Sequence, residues 1–211
     1  MIQVENVSKI FEKQQVLSNI DLTINEGELL CFAGPSGVGK TTLLNIVSLI
    51  ERPSKGRVEI DGIYKWTPSV IQKLRREKIG YVFQNYGLIE NDTVWQNLLL
   101  TSKFVLLNKS ERKTAFVQAL DEVGLSKMYL NRKVYGLSGG EQQRVALARL
   151  LITKPKYIFA DEPTGNLDAE NKEMVFQILE KFARNHHTVV YVSHDEDLIK
   201  RADQVIYLKV E

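Results

Sequence analysis

The alternation of apolar and polar residues along the first part of the chain predicts a series of strands around one early helix. Apolar residues alternate with polar ones over 2–7 and 20–24, which is typical of strands with one buried face. Residues 29–33 are all apolar, which is the pattern of a strand buried on both faces. The same patterns predict three more elements: a helix at 40–49 and strands at 57–60 and 79–83.

From about residue 84 the spacing of apolar residues becomes helical. The residues that carry this spacing are Leu98, Phe104, Val105, Ala115, Phe116, Ala119, Leu120 and Val123. A further helix is predicted at 140–152. We therefore predict a helical subdomain at about 84–153, inserted into a sheet core that is formed by about 1–83 and 154–211.

Apolar strands alternate with helices again after this segment. Strands are predicted at 156–160, 188–192 and 205–208, and a helix is predicted at 169–184. This alternation predicts an α/β fold with a mostly parallel sheet, and the opening strands supply an antiparallel β edge. The 211 residues contain no internal repeat and no linker, so we predict a single domain over 1–211.

The composition of the chain narrows the possible classes of function. Charged residues make up 26% of the chain and the formal net charge is only +2, which does not suggest a protein that binds nucleic acid. The charged run at 73–78 is short and of mixed sign, and we interpret it as a solvated surface segment. No run of about 18 apolar residues is present, so any role at a membrane requires a separate membrane chain. The single cysteine, Cys31, lies in an apolar run and is predicted to be buried.

A glycine-rich loop after the strand at 29–33 carries the first candidate chemistry. Residues 34–41 read Gly-Pro-Ser-Gly-Val-Gly-Lys-Thr, which matches the phosphate-loop pattern G-x-x-x-x-G-K-[ST] in full. Lys40 is suited to reach the β- and γ-phosphates of ATP, and the Thr41 hydroxyl is suited to bind Mg²⁺. The nucleotide contacts predicted for this loop are Gly34, Ser36, Gly37, Val38, Gly39, Lys40, Thr41 and Thr42.

Two carboxylates at the end of the strand at 156–160 form the second candidate site. Asp161 and Glu162 follow that strand, and ligands of open α/β sheets bind at the carboxyl ends of the strands. Asp161 is suited to hold Mg²⁺, directly or through water, and Glu162 is suited to act as general base towards the attacking water. A solvated strand end would usually explain an isolated Asp-Glu pair, but the phosphate loop in the same chain favours the functional interpretation.

The segment at 137–144, Leu-Ser-Gly-Gly-Glu-Gln-Gln-Arg, supports two interpretations. Ser138 and Glu141 have the spacing of a helix capping box. A capping box does not require Gly139 and Gly140, because glycine in a helix costs about 1 kcal/mol relative to alanine. Paired glycines after a serine suit close approach to a phosphate instead. We predict both: Ser138 caps the helix in the empty protein and meets a γ-phosphate when the segment is engaged.

These motifs, followed by a late histidine, resemble those of ABC-type ATPases over essentially the whole chain, and the resemblance implies the P-loop NTPase fold. In that family two ATP-binding domains pack head to tail. Each nucleotide then lies between the phosphate loop of one domain and the signature segment of the other. In this sequence the signature segment is 137–144. The resemblance therefore implies that Ser138, Gly139 and Gly140 contact ATP bound to a partner. That partner is a second copy in an ATP-dependent homodimer, or a similar cassette.

The resemblance also implies roles for four residues outside these motifs. Gln84 matches a glutamine that contacts Mg²⁺ and the attacking water; a polar residue at a strand end is its alternative. His194 matches a histidine that contacts the γ-phosphate, while 193–196 also fits a capping box. Phe11 lies where the family places an aromatic ring that stacks on adenine, or is a core residue. Asp168 matches a loop that crosses the dimer interface, or is only the N-cap of the next helix.

The sequence at 161–168, Asp-Glu-Pro-Thr-Gly-Asn-Leu-Asp, resembles the branch of macrolide exporters, lipoprotein-releasing ATPases and antimicrobial-peptide exporters. This implies a cytoplasmic ATPase, peripheral on the inner face of the bacterial cell membrane, that drives an integral membrane permease. The implied cargo is a peptide, a bacteriocin or a drug-like molecule. We expect the permease to dock near 86–95, where Tyr86, Leu88 and Ile89 are expected to be exposed apolar contacts. A soluble ABC-type ATPase of iron–sulfur cluster assembly is the alternative.

Overall fold

The computed structural model describes residues 1–12, 14–103, 108–165 and 167–209. The strands in chain order are β1 (Ile2–Phe11), β2 (Gln14–Ile24), β3 (Leu29–Ala33), β4 (Lys55–Ile60), β5 (Ile79–Val82), β6 (Tyr157–Asp161), β7 (Thr188–Val192) and β8 (Gln204–Tyr207). The helices are α1 (Lys40–Val47), α2 (Pro68–Glu77), α3 (Val94–Ser102), α4 (Lys109–Glu122), α5 (Gly139–Thr153), α6 (Ala169–Arg184) and α7 (Glu196–Ile199). None of the helices in these ranges combines the length and the apolar composition needed to span a membrane.

The strands divide into an antiparallel sheet and a parallel sheet. The three-stranded sheet has the order β2-β1-β4, and both of its pairings are antiparallel. The five-stranded sheet has the order β5-β6-β7-β3-β8, and each neighbouring pair is parallel. The predicted fold class, α/β with a mostly parallel sheet and an antiparallel β edge, is confirmed.

The parallel sheet is covered on both faces, which explains why its central strands β3, β6 and β7 are buried along their whole length. Successive residues of β3 point to opposite faces. Leu30 and Phe32 pack in one apolar cluster with α1, and Cys31 and Ala33 pack in another with α3 to α6. Cys31 is buried as predicted, and burial raises the pKa of its thiol to about 11.

The register of the parallel strands brings their carboxyl ends to one edge of the sheet. Asp161 at the end of β6 is level with Val192 of β7, and Val192 is level with Phe32 of β3. The phosphate loop follows β3, Glu162 follows β6, and His194 follows β7. Because ligands of open α/β sheets bind at this edge, strand pairing alone gathers these candidate residues.

Helices α3, α4 and α5 lie in sequence between β5 and β6, two strands that pair side by side. Leu98 of α3 and Phe116 of α4 are fully buried in one apolar cluster, as the helical spacing predicted. Phe104 and Val105, which contributed to the same prediction, lie outside the described residues. The boundaries of a helical subdomain at about 84–153 stay a prediction.

Helix α2 was not recognised in the sequence. The charged run at 73–78, interpreted as a solvated surface segment, forms the second half of this helix, and Lys73, Arg75, Arg76 and Glu77 are exposed, as that interpretation expects. Thr67 caps α2 by accepting a hydrogen bond from the N–H of Val70 at 3.3 Å, and Pro68 occupies the first turn. Leu74 is buried within the charged run. Because many residues of this helix are charged, the spacing of its few apolar residues does not stand out in the sequence.

Strands β1 and β2 are longer than the patterns predicted. Their pairing shifts register between Val4 and Val7, between Val7 and Lys9, and between Lys9 and Ile10. Each bulge changes which residues face the core, so the strict alternation used to recognise a strand ends there. The pairing itself continues as far as Phe11.

The close approach of β4 to β1 yields the first testable prediction. Gly56 in β4 has a φ of +80°, and a Cβ there would lie 2.2 Å from the backbone oxygen of Asn6. We expect Gly56→Ala to lower the free energy of unfolding by roughly 2–4 kcal/mol, because backbone strain and a backbone clash add. Urea unfolding followed by circular dichroism measures this loss.

Gly62→Ala is the matched control for this substitution. Gly62 has a φ of +79°, and a Cβ there would have no neighbour within 4 Å. Only the left-handed backbone is then strained, at a cost of about 1 kcal/mol. Equal losses for Gly56→Ala and Gly62→Ala would contradict the close contact between β4 and β1.

Candidate functional site

The phosphate loop connects β3 to α1 at the edge where the parallel strands end. Gly39 is the N-cap of α1 and has a φ of +97°, a left-handed conformation that suits glycine. Gly34 has a φ of +139°, and a Cβ there would lie 2.5 Å from the backbone oxygen of Leu208. The loop therefore requires glycine at both of its ends.

Lys40 is nearly buried beside this loop. Its ammonium donates hydrogen bonds to the carbonyl oxygens of Gly34, at 2.9 Å, and Pro35, at 2.7 Å. These acceptors are neutral, so they fix the position of the positive charge without neutralising it. Together with the N–H groups at the start of α1, the ammonium provides a site for a phosphate anion.

Thr41 and Asp161 place two oxygen ligands side by side. The Thr41 hydroxyl donates a hydrogen bond to Asp161 Oδ1 at 2.9 Å. Burial raises the pKa of the Asp161 carboxyl, the hydrogen bond from Thr41 opposes the rise, the charge of Glu162 adds to it, and the charge of Lys40 opposes it. Such oxygens suit Mg²⁺, which is usually held by one or two protein ligands together with phosphate oxygens and water.

The candidate Mg²⁺ site offers two protein oxygens, those of Thr41 and Asp161. Within the four described ranges, no group of three or more His, Cys, Asp or Glu side chains is placed to hold a metal ion. The donor set at Thr41 and Asp161 therefore suits an ion that arrives with a phosphate-bearing ligand.

A cavity of about 220 Å³ joins the phosphate loop to Glu162. The residues that line it are Val16, Ser36, Gly37, Gly39, Lys40, Thr41, Thr42 and Glu162. Most of the predicted phosphate-loop contacts therefore face the same space as the predicted general base. Val16 of β2 also lines this cavity, and no motif in the sequence marked it.

Glu162 is held in an uncommon backbone conformation. Its φ is +43°, in the left-handed region that residues other than glycine rarely adopt, and such strain is found at functional sites. His194 Nδ1 lies 3.5 Å from Glu162 Oε1, and the His194 side chain is largely exposed. The structure thus brings these two predicted residues together beside the phosphate loop.

The capping box proposed at 193–196 as an alternative role for His194 is wrong. Helix α7 begins after Asp195, whose carboxylate accepts hydrogen bonds from the N–H groups of Asp197 and Leu198. Asp195 also forms an ion pair with Lys172 of α6, which lowers the pKa of its carboxyl. His194 therefore precedes the helix and takes no part in capping it.

Gln84 faces a neighbouring open pocket. The sequence had suggested that Gln84 lies at the end of a strand. Strand β5 instead ends at Val82, so Gln84 lies two residues beyond it. The pocket is lined by Phe83, Gln84, Asn85, Tyr86 and Asp161. Gln84 and the candidate Mg²⁺ ligand Asp161 thus share one opening.

The signature segment begins helix α5, and its predicted capping box is present. Ser138 Oγ accepts a hydrogen bond from the N–H of Glu141 at 3.3 Å, and Glu141 Oε2 accepts one from the N–H of Ser138 at 2.7 Å. The Tyr129 hydroxyl donates to the other Glu141 oxygen at 2.6 Å, which lowers the pKa of that carboxyl. Among the described residues, Ser138, Gly139 and Gly140 do not line the phosphate-loop cavity.

Both signature glycines have close neighbours within the chain, which the sequence did not reveal. A Cβ on Gly139 would lie 2.8 Å from the Tyr86 hydroxyl oxygen, and a Cβ on Gly140 would lie 3.2 Å from Asn171 Cγ. These contacts join residues more than 30 positions apart, so no local pattern predicts them.

Phe11 and Asp168 lie at the periphery of the site. Phe11 ends β1 with 42% of its surface exposed, and Lys9 Nζ lies 4.7 Å from its ring centroid. Phe11 is therefore not a core residue. Asp168 caps α6 by accepting hydrogen bonds from the backbone N–H and the side-chain amide of Asn171. Asn166, in the same predicted loop, lies outside the described residues.

Known proteins are similar to this chain in sequence and in fold. The family model described as ABC transporter matches residues 17–165. The lipoprotein-releasing system ATP-binding protein LolD of Bacteroides fragilis is 39% identical over 99% of this chain and 97% of its own length. The uncharacterized ABC transporter ATP-binding protein YvrO of Bacillus subtilis is 37% identical over 99% of this chain and 93% of its own length.

A solved structure extends the similarity to the whole fold. The dimeric, post-hydrolysis structure of the ATP-binding cassette MJ0796, from Methanocaldococcus jannaschii, is bound to ADP and Pi. It matches this chain with a TM-score of 0.92 and 37% identity, over 99% of this chain and 94% of that one.

The buried carboxylate of Asp161 makes a prediction about the protein without nucleotide or metal. Because its pKa is raised, the penalty for holding the ionised form is present above that pKa and disappears as the pH falls through it. We expect Asp161→Asn to raise the free energy of unfolding at pH 7, in EDTA, by roughly 0.5–2 kcal/mol. The gain over the unsubstituted protein shrinks as the pH falls.

Asp195→Asn is the control, and we expect it to lower the free energy of unfolding at neutral pH, where Asp161→Asn raises it. The ion pair with Lys172 lowers the pKa of Asp195, so its stabilising contribution is present at neutral pH and is lost as the pH falls through that lowered pKa. Urea unfolding between about pH 2 and pH 8 measures both variants, because this window extends below the ordinary pKa of aspartate. A destabilising effect of Asp161→Asn at pH 7 would contradict the burial argument.

Proposed function

Because this chain is an ATP-hydrolysing member of the ABC transporter family, we propose that two copies of it close around two MgATP molecules and drive a separate membrane subunit. Each copy supplies the phosphate loop and Glu162 for one nucleotide. Each also supplies Ser138, Gly139 and Gly140 of its signature segment for the nucleotide of the other copy.

The observation that carries this proposal is the separation of two half-sites in one chain. Lys40, Thr41 and Glu162 face a common cavity. The described lining of that cavity does not include Ser138 or Gly140. A phosphate held by one chain therefore has an open side, and a second copy is the available source of further donors.

The capped state of Ser138 is compatible with this role. In the capping box its oxygen accepts a hydrogen bond from the N–H of Glu141. A hydroxyl has one donor as well as two acceptor lone pairs, so its O–H is left to donate to a phosphate oxygen. The helix N-terminus adds a favourable dipole for the same anion. One conformation of Ser138 thus serves both predicted roles.

The remaining residues take their roles around the γ-phosphate. Thr41 and Asp161 would hold Mg²⁺, with Gln84 beside them, and the bound ion would neutralise phosphate charge during hydrolysis. Lys40 binds the phosphates. The Glu162 carboxylate accepts a proton from the attacking water, and His194 beside it contacts the γ-phosphate. Each of these steps uses a group at the single edge where the strands end.

Phe11 and Asp168 complete the nucleotide site in this proposal. The exposed ring of Phe11 provides a face for adenine, and aromatic rings stack well on bases. Asp168 is exposed at the start of α6 while it caps that helix, so an additional contact across the dimer leaves the cap intact. The helical subdomain at about 84–153 carries the signature segment, and the sheet core carries the phosphate loop.

The membrane partner is proposed to be an integral permease that docks beside Gln84. Ile89 has 48% of its surface exposed, and Phe83 has 40%. Leu88, expected to be exposed, instead packs against the helical core and is only partly accessible. Tyr86 is likewise partly buried. The docking surface is therefore centred on Ile89 and Phe83, and the protein lies at the inner face of the cell membrane.

Export of a peptide, a bacteriocin or a drug-like molecule is the proposed transport activity. The segment 161–168 and the similarity to a lipoprotein-releasing ATP-binding protein support export of an amphiphilic cargo. The permease selects that cargo, because the described cavities of this chain lie at the nucleotide edge and between surface helices.

ATP turnover against protein concentration tests the shared site. We expect turnover per chain to rise with protein concentration, because the active species contains two copies. We expect Glu162→Gln to reduce kcat by about 10²-fold or more and to trap an ATP-bound dimer in light scattering. Glu170→Gln, a solvent-exposed glutamate on α6, is the matched control. Turnover that is linear in protein, with Glu162→Gln active and monomeric, would falsify the proposal.

The docking surface gives a second prediction. We expect Ile89→Asp to abolish co-purification with the permease from native membranes while leaving thermal unfolding unchanged, because an exposed side chain contributes little to folding. Ile63→Asp replaces another exposed isoleucine, on the loop after β4, and should preserve assembly. Normal assembly by Ile89→Asp would place the permease on another surface.

A further inference from the structure

Arg149 on helix α5 holds the backbone that follows Gln84. Its guanidinium donates hydrogen bonds to the carbonyl oxygen of Gly87 at 2.8 Å and to that of Tyr86 at 3.1 Å. Within the part of the chain that the structure describes, no salt bridge reaches this guanidinium. Burial lowers the pKa of Arg149 to about 10. Arg149 is partly buried, and two successive carbonyls accept hydrogen bonds from its guanidinium.

Tyr86 makes a second connection between the same two segments. Its φ is +65°, in the left-handed region, so the chain turns sharply at this residue. This turn brings the Tyr86 hydroxyl beside Gly139, where an added Cβ would lie 2.8 Å from the hydroxyl oxygen. Gly139 and Arg149 are ten residues apart on α5, or about 15 Å along the helix axis. The segment after Gln84 is thus hydrogen-bonded to α5 at Arg149 and lies against the start of α5 at Gly139.

From these contacts we infer that Tyr86 and Arg149 are positioning residues that make the Gln84 segment and helix α5 move as one body. Gln84 faces the open pocket that it shares with Asp161, the candidate Mg²⁺ ligand. In the proposed function Ser138, at the start of α5, contacts the nucleotide bound to the second copy. A movement of Gln84 at one nucleotide is therefore transmitted to the nucleotide on the partner. This inference rests on the proposed function and assigns the connection to two specific side chains.

The fork geometry of arginine is the reason that lysine cannot replace Arg149. A guanidinium presents several N–H donors in a fixed plane and bridges two carbonyls at once, whereas an ammonium is a single point of charge. Arg149→Lys keeps the charge and most of the apolar stem, so helix α5 retains its packing. The attachment to Tyr86 or to Gly87 is lost.

Separate measurements of nucleotide binding and dimer formation test the role of Arg149. In a Glu162→Gln background, we expect Arg149→Lys to bind MgATP as a monomer within about twofold of the parent. We expect the protein concentration for half-dimerisation in saturating MgATP to rise about 5- to 150-fold, the usual range of coupling between sites. Arg184→Lys, an exposed arginine at the end of α6, is the matched control.

A rescue experiment tests the contact of Tyr86 with Gly139. Gly139→Ala is expected to impair ATP-driven dimerisation because its Cβ meets the Tyr86 hydroxyl oxygen. The next Tyr86 atom, Cζ, would lie 3.7 Å away, an ordinary contact, so Tyr86→Phe should restore most of the lost dimer. Gly140→Ala meets Asn171 instead, and Tyr86→Phe should not rescue it. A merely destabilised helix would not show this selective rescue.

The outcomes separate this inference from the proposed function. If the Glu162→Gln parent fails to dimerise in MgATP, the shared-site proposal itself is wrong. If the parent dimerises and Arg149→Lys dimerises equally well, Arg149 does not position α5. If the double variant Gly139→Ala/Tyr86→Phe dimerises as poorly as Gly139→Ala alone, the defect arises at the partner's nucleotide and not at Tyr86. That result overturns the role of Tyr86.

Discussion

The in-register parallel pairing of β3, β6 and β7 is the constraint on which the rest of the structure depends. It sets the ends of three strands level, so that the loops after them meet although they lie far apart in sequence. The apolar clusters on both faces of the sheet fix that register, because a shift by one residue would turn every side chain to the wrong face. Packing of the core therefore determines where the candidate site residues on these loops lie relative to one another.

Several features of this site oppose folding. Glu162 has a left-handed backbone, and Asp161 is a buried carboxylate beside another carboxylate. The ammonium of Lys40 has only neutral acceptors for hydrogen bonds. A polyphosphate with its metal ion would supply the opposite charges that these groups lack, so ligand binding and stability are linked at this edge. The strained arrangement thus suits the binding of an anionic ligand with its metal ion.

Sequence reasoning predicted the features that depend on local pattern, and it failed where distant contacts decide. The phosphate loop, the acidic strand end and the capping box at Ser138 were recognisable because fixed spacings carry their geometry. Helix α2 was missed because its apolar face is narrow and its charges are many. The exposure of Leu88 and the contact between Tyr86 and Gly139 depend on tertiary packing, which a single sequence does not encode in any local period.

The close neighbours of the two signature glycines restrict how the segment can be transplanted. Gly139 is matched to Tyr86 and Gly140 to Asn171, and these partners come from opposite sides of α5 in sequence. A donor segment that carries a side chain at position 139 or 140 would meet these partners. An engineered hybrid cassette that fills either position must therefore also change position 86 or 171.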